Sequence, residues 1–412
     1  MRLIMMVPGF PRLSETFIVN KFVGLVDAGH DVHLVYQNDE IATQPWDIFP
    51  ALNERPELRA RVHRQWRHDP AWLVALLWLP ALIMTFLRAP QATARYWQRG
   101  LRRYGLAIFK RFYLDAAVIA LLPDVIHFEF GALAVGRTYL KALLGCRLSA
   151  SFRGYDISYV GLENPSHYDA LWRDADALHL LGKDLWRRAL RRGCPPDKPH
   201  TFIPPAIDIH YFAGDLGGHE RSPVGPDRPL RILSVGRLEW VKGYEYALRA
   251  AQFLRDRGVP FEYRIIGEGK SLEGLTFTRY QLGLEACVTF LRAQPHQVVT
   301  EQMRWADVFL HAAVSEGFCN AVLEAQAMRL PVVTSDADGL SENVMDGVTG
   351  FVVPRRDPAA LADKLALLAG DVEARRRMGN AGRERVRTFF QLPQQIADFG
   401  RFYEEMVTRH AD

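Results

Sequence analysis

Short apolar runs of three to six residues recur along this 412-residue chain, and most lead into a span of helical periodicity. The first is Arg2–Val7 (RLIMMV), whose length and terminating Pro8-Gly9 read as a buried strand. Helical spacing follows from Ser14 to Ala28, with Ser14 as N-cap and Gly29 just past the C-cap. Asp31–Tyr36 is the next strand. A strand, a helix and a second strand with short joints form a βαβ unit. Repetition of that unit gives a parallel sheet with helices on both faces. The pattern resumes at 124–127, 147–151, 177–180 and 201–203. A second series runs through 231–235, 262–266, 287–290, 307–310, 331–334 and 350–353, then ends in helical spans at 358–369, 372–389 and 393–408.

Residues 213–229 (AGDLGGHERSPVGPDRP) separate the two series, and their Gly, Pro and charge read as a linker. The expected architecture is α/β: two Rossmann-like doubly wound domains facing each other across a cleft. They occupy 1–212 and 230–392, and a C-terminal helix at 393–412 crosses back to the first. Such sheets bind ligands beyond the carboxyl ends of their strands. Ordinary composition, with mean hydropathy −0.09, excludes a disordered chain, a collagen and a polytopic membrane protein. Cys146, Cys194, Cys287 and Cys319 lie apart, with neither CxxC nor a Cys/His cluster, so no zinc site or disulfide framework is expected. That fits a reducing, cytosolic setting. The apolar run Leu3–Val7 is too short for a signal-peptide core.

Residues 53–112 interrupt the first series. Within 55–112, 12 Lys/Arg face 2 Asp/Glu, although the whole chain carries only +4. Trp66, Trp72, Trp78 and Trp97 sit among the arginines, and Pro70–Leu87 is an eighteen-residue run without charge. Arginine with tryptophan suits an anionic membrane surface, rings at the headgroups and cations on lipid. The run is marginal for a span and contains Pro80. Peripheral attachment to the inner face of the cell membrane is therefore expected, with a packed soluble insertion as the alternative. No nucleic-acid motif accompanies the patch.

Three constellations carry chemistry. Ser315-Glu316-Gly-Phe-Cys-Asn-Ala-Val-Leu-Glu324 follows a strand and opens a helix near Asn320. It sets a carboxylate on each side of the Phe318, Cys319 and Asn320 amides, and a helix start of this kind favours anions. Ser234-Val-Gly-Arg-Leu-Glu-Trp-Val-Lys-Gly243 places Arg237 and Lys242 at a strand-to-helix turn, where two cations favour a diphosphate. Tyr263-Arg-Ile-Ile-Gly-Glu-Gly-Lys270 suggests close backbone approach to a ligand or a tight turn. It lacks the third glycine of a dinucleotide fingerprint.

As an ordered set these motifs, with P-V-V-T-S-D, G-L-S-E-N-V and D-G-V-T-G-F-V-V-P, resemble the retaining glycosyltransferases of family 4, which have the GT-B fold. The resemblance is continuous over about 230–390. Pro8-Gly-Phe-Pro-Arg-Leu-Ser-Glu-Thr-Phe-Ile18 is similar to the opening of members that build bacterial surface polysaccharides. Pro123–Gly131, Ser151–Asp156 and Ile203–Asp208 occupy further family positions.

The resemblance implies transfer of a sugar from a nucleotide-sugar donor to a saccharide acceptor, lipid-linked in this branch. Arg237 and Lys242 would hold the diphosphate, with Gly9 bringing backbone close to it. Glu316 would touch the donor sugar, and the amides of Phe318, Cys319 and Asn320 the sugar or phosphate. Glu324 would bind ribose, and Glu268 and Gly269 would lie by the base. Ser14, Glu15, Glu129, Arg153 and Asp156 are the candidates on the acceptor side. Where the family often has H-x-H-F-G and H-G-x-D, this chain has Glu129 and Arg153, and an arginine cannot serve as a base near neutral pH. Asp174-Ala-Asp176 and Asp336-Ala-Asp338 fit a metal–diphosphate site in spacing, yet both fall at ordinary element ends, so neither a metal nor a cofactor is expected. The rivals are a nucleotide-sugar epimerase, a phosphorylase, or a catalytically silent binding protein.

Overall fold

The computed structural model describes residues 1–12, 15–36, 45–65, 71–209, 211–212 and 223–408. The chain divides into two compact units, Met1–Ile203 with Pro393–Asp412, and Pro204–Leu392.

The first unit is built on a seven-stranded sheet: β1 (Arg2–Val7), β2 (Asp31–Tyr36), β3 (Val62–Arg64), β4 (Val125–Phe128), β5 (Arg147–Phe152), β6 (Ala177–Leu180) and β7 (His200–Phe202). The order is β3-β2-β1-β4-β5-β6-β7, with every pair parallel. The central strands read as near-continuous apolar runs because helices cover both faces. The Thr16–Asp27 helix ends at Ala28, and Gly29 follows at φ +87°, a conformation that glycine adopts without steric cost. Ser14, expected as the N-cap, lies outside the described residues. The Leu392–Thr408 helix lies against Thr16–Asp27, where a Cβ on Gly24 would stand 2.7 Å from Ile396.

The second unit has a six-stranded parallel sheet: β8 (Leu230–Val235), β9 (Phe261–Ile266), β10 (Val288–Arg292), β11 (Val308–His311), β12 (Val332–Ser335) and β13 (Gly350–Val353), in the order β10-β9-β8-β11-β12-β13. Successive residues of one strand feed opposite cores: Ile232 and Leu310 join one, Leu233 and Phe309 the other. The division at Ile203 precedes the 213–229 segment. Its cause is local: Ile207 pairs with Gln391, and Ile207, Ile209 and Phe212 pack into the second unit's core.

The insertion folds as helices Ala71–Arg88, Pro90–Tyr104 and Ile108–Leu121, plus β3, which extends the sheet beyond β2. Two of its tryptophans are not surface rings. Trp78 and Trp97 meet at 5.6 Å and pack on Phe109 and Phe112. Trp72 is 69% exposed, and Trp66 lies outside the described residues. No described helix is long and apolar enough to cross a membrane.

Candidate active site

Beyond the carboxyl ends of β8 and β11 in the second unit, three charged groups converge. β8 runs into Gly236 and the exposed Arg237, then the turn Trp240–Lys242. Gly243 follows at φ +63°, and a Cβ there would stand 2.1 Å from the Ala312 carbonyl oxygen. Only a glycine lets this loop lie on the end of β11. Lys242 Nζ thereby pairs with Glu316, whose Oε2 also lies 3.2 Å from Nε2 of His311, the last residue of β11. The Glu316 loop is held from behind: Asp338 accepts from Ser315 Oγ at 2.6 Å and from the Glu316 amide at 3.2 Å, and Arg355 fixes Asp338 at 2.9 Å.

Burial works against each charge and is outweighed. Burial would raise Glu316, but Lys242 and His311 hold it down to about 2. Burial would lower Lys242, but the Glu316 carboxylate leaves it raised. His311, pushed down by burial, is held up to about 9 by the Cys319 sulfur and by Glu316. Arg237 lies near enough to depress Lys242 slightly, and it has no carboxylate partner among the described residues. The site thus holds one carboxylate between an ammonium and an imidazolium, with the exposed Arg237 near the ammonium.

The Asn320–Ala327 helix begins beside this cluster, with Glu324 inside it. Of the three amides expected to be free, one is taken. Cys319 N–H donates to Asn343 Oδ1 at 3.0 Å, and Asn343 Nδ2 returns a bond to the Cys319 carbonyl at 3.2 Å. Among the described residues, the Phe318 and Asn320 amides have no such side-chain partner. Glu324 faces His296 at 3.6 Å, and that contact raises the His296 pKa. His296 in turn lies 4.7 Å from the Tyr211 ring.

The Gly-Glu-Gly turn after β9 packs on the protein itself. A Cβ on Gly267 would stand 1.9 Å from the Gly236 carbonyl oxygen, and one on Gly269 2.3 Å from that of Leu238. The Glu268 carbonyl accepts from the Leu238 amide at 2.8 Å. These glycines therefore seat the Arg237 loop, and the Glu268 side chain, half-exposed, reaches Arg292 at 3.6 Å.

In the first unit, Glu129 and Arg153 follow the carboxyl ends of β4 and β5. Glu129 is fully buried and is held by Lys21 at 2.6 Å and Arg153 at 3.2 Å. The Arg153 guanidinium also covers the Phe17 ring at 3.8 Å. Burial would raise Glu129, but Lys21 and Arg153 keep it below the usual carboxylate range. Asp156 accepts from the amides of Ala132 and Arg153, and burial raises it to about 6. Glu15 pairs with Arg12, and Gly9 sits buried just after β1.

Neither Asp-x-Asp presents free carboxylates. Asp336 and Asp338 pair with Arg355, Asp174 with Arg173, and Asp176 with Lys141 and Arg147. Among the described residues, His311, Glu316 and Cys319 are the one group whose ligand atoms lie within 4.8 Å of one another. The expectation of no Cys/His cluster is corrected here: the tight loop after β11 folds an irregular H-x4-E-x2-C spacing together. Lys242 already occupies the Glu316 carboxylate, which disfavours a second cation there.

The profile described as "Glycosyl transferases group 1" matches residues 219–385. The putative colanic acid biosynthesis glycosyltransferase WcaL of Salmonella typhimurium is 32% identical over 378 residues, 87% of this chain and 88% of that protein. The chain belongs to the group 1 glycosyltransferases. The amylovoran biosynthesis glycosyltransferase AmsK of Erwinia amylovora is likewise 32% identical, over 90% of this chain and 91% of its own length. Anabaena HepE, solved in complex with UDP-glucose, superposes with TM-score 0.69 over 97% of this chain and 99% of its own, at 16% identity. The shared fold is GT-B.

In this glycosyltransferase, several site residues carried no sequence signal of their own. Lys21 looks like one polar position of a helix. Asn343 closes the short Leu340–Asn343 helix after β12, Arg355 follows β13, and Asp338 was read only as half of an Asp-x-Asp. His311 and His296 were visible only as a histidine closing an apolar strand and one opening a helix.

Proposed function

We propose that the enzyme transfers a sugar, with retained anomeric configuration, from a nucleoside diphosphate sugar to a lipid-linked saccharide during surface polysaccharide assembly. The observation that carries this reading is the Arg237, Lys242, Glu316 and His311 cluster at the carboxyl end of the second sheet. Arg237 and Lys242 receive the diphosphate, and Glu316 meets the donor sugar. Glu324 takes the ribose, with His296 holding its carboxylate. The Phe318 and Asn320 amides add partial positive charge from the helix start. In a same-face displacement, the departing phosphate oxygen takes the acceptor proton, so the protein's task is to neutralise developing charge. No divalent cation enters this scheme. The UDP-glucose bound by HepE and the polysaccharides named for WcaL and AmsK support the donor class and the setting.

Peripheral membrane attachment is part of the same reading. Trp72, Leu76, Leu79, Ile83 and Phe86 line the exposed face of the Ala71–Arg88 helix at alternating steps of four and three residues. That stripe suits an interfacial helix.

The test is turnover with a panel of UDP- and GDP-sugars and a lipid-linked acceptor, the product anomer being read by proton NMR. A product of retained configuration is expected, with an Arg237→Ala, Lys242→Ala enzyme slowed by about 2–4 kcal/mol in barrier, the scale of one preorganised donor. Full turnover by that variant, an inverted product, or conversion of donor without acceptor would each overturn the reading.

A further inference from the structure

A cavity of about 800 Å³ opens in the first unit, by the amino ends of β4 and β5. Its wall includes Arg95, Arg99 and Arg103 from the Pro90–Tyr104 helix, with Lys141, Arg147 and Arg173 opposite. Asp124 and Asp174 are the carboxylates in the wall, so cations outnumber anions three to one. Lys141, Arg147 and Arg173 are matched by Asp176 and Asp174. Arg95, Arg99 and Arg103 have no carboxylate within ion-pair distance among the described residues.

Those three arginines stand at i, i+4 and i+8, on one face of one helix, and like charges at this spacing repel and destabilise it. Arg95 and Arg99 each spend one N–H on the last turn of the Tyr139–Leu144 helix, at the carbonyls of Leu144 (2.9 Å) and Ala142 (2.7 Å). These bonds fix the guanidinium planes, and each fork retains further donors. Fixed guanidinium forks beside an ammonium match the geometry of phosphate oxygens.

We propose that this cavity binds a phosphate-bearing anion, a diphosphate or a phosphodiester headgroup, at a site separate from the donor site. Its place in the fold excludes direct chemistry on Glu129 or Arg153. Asp124 and Arg147 stand at the amino ends of β4 and β5, whereas Glu129 and Arg153 follow their carboxyl ends. The six residues of β5 put roughly 16 Å between the two ends. The site therefore anchors or regulates. A free diphosphate and the headgroup of an anionic lipid share the chemistry that these arginines recognise.

The experiment uses the full chain carrying Arg237→Ala and Lys242→Ala, so that the donor-site cations do not contribute. Inorganic pyrophosphate is titrated by calorimetry with and without Arg103→Glu. Arg103 is chosen because it makes no hydrogen bond among the described residues, so its replacement leaves the helix anchors in place. Residual binding that weakens about tenfold or more in Arg103→Glu is expected, since the variant loses a charge-assisted contact and adds repulsion. In a second arm, phosphatidylglycerol and phosphatidylcholine vesicles are sedimented with the same proteins. Phosphatidylglycerol binding that depends on Arg103 and is displaced by pyrophosphate identifies a headgroup. Pyrophosphate binding without it identifies a free anion. Absence of both, or binding indifferent to Arg103→Glu, would overturn the proposal.

Discussion

Replacing Glu316 by Gln keeps the side chain's shape and removes its charge. The Lys242 ammonium and the His311 imidazolium would then face each other without the carboxylate between them. Holding Glu316 at about 2 rather than 4.5 corresponds, at 1.36 kcal/mol per pH unit, to about 3 kcal/mol of stability. A loss of about 3–5 kcal/mol is also the scale seen when one partner of a buried ion pair is removed. The pH window follows from the signs. A depressed carboxylate contributes fully above 4.5 and loses that contribution as pH falls through about 2. A raised imidazole contributes fully below 6.5 and loses it as pH rises through about 9. The gap between native enzyme and Glu316→Gln should therefore be flat from about pH 5 to 6.5 and narrow on either side. Calorimetry at pH 6 should show the transition containing the second unit about 6–12 °C lower in the variant. NMR of the His311 ring should show its titration moved to lower pH. A stability loss under about 0.5 kcal/mol at pH 6, or an unmoved His311 titration, would refute the charge cluster as described.

Glu324→Ala should raise KM more than it lowers kcat, because a ribose contact is remote from the bond that breaks; steady-state kinetics showing the reverse would exchange its role with that of Glu316. Activity should survive EDTA unchanged, since Arg237, Lys242 and the helix start supply the positive charge. Loss on chelation with recovery on adding Mg²⁺ or Mn²⁺ would count against this. Placing glutamates at Leu76 and Ile83 should abolish co-sedimentation with anionic vesicles while leaving the thermal transition within about 1–2 °C, because both side chains are exposed. Unchanged sedimentation would remove the Ala71–Arg88 helix from the membrane contact.

Twelve of the thirteen strands were legible, most of them because parallel strands covered on both faces are largely apolar; β7, His200-Thr201-Phe202 at the other sheet edge, was legible only through the Ile203 that follows it. The exception, β3, is Val62-His63-Arg64: three residues, half-exposed, at a sheet edge and inside a basic segment. Nothing in that pattern separates a strand from a loop. At the site, Arg237, Lys242, Glu316 and Glu324 could be read because each lies in a compact local motif. The partners could not, because they return from far along the chain: Lys21 to Glu129, Asn343 to Cys319, Arg355 to Asp338. The Cys319 amide shows the cost of reading locally. A helix start advertises free N–H groups, and only the fold reveals that an asparagine at the end of the next helix has taken one. The tryptophans of the insertion misled for a similar reason. Composition reports how many rings there are, and the packing of Trp78 and Trp97 on Phe109 and Phe112 decides which of them face solvent.

The first unit's histidines bear on mechanism. His179 Nε2 lies 2.8 Å from the Ile203 carbonyl, an acceptor only, so Nε2 carries the proton and Nδ1 must accept. Ser151 then donates to His179 Nδ1 at 2.7 Å and accepts from His127 Nε2 at 2.8 Å, which leaves His127 Nδ1 to accept from Ser149. Every proton in this chain has one direction, and both rings are neutral, their pKa values driven well down by burial and by the nearby Lys21. Neither ring has a nitrogen left for a substrate. Asp156 has both oxygens on backbone amides, and Glu129 is shared between two cations. No group of this cluster is placed to take a proton from an acceptor hydroxyl. What remains is Lys21 and Arg153 held against Glu129 and Asp156 at the ends of β4 and β5, a cluster whose charges are already matched. These residues of the first unit therefore supply no general base, which agrees with the proposed same-face displacement, in which the departing phosphate itself takes the acceptor proton.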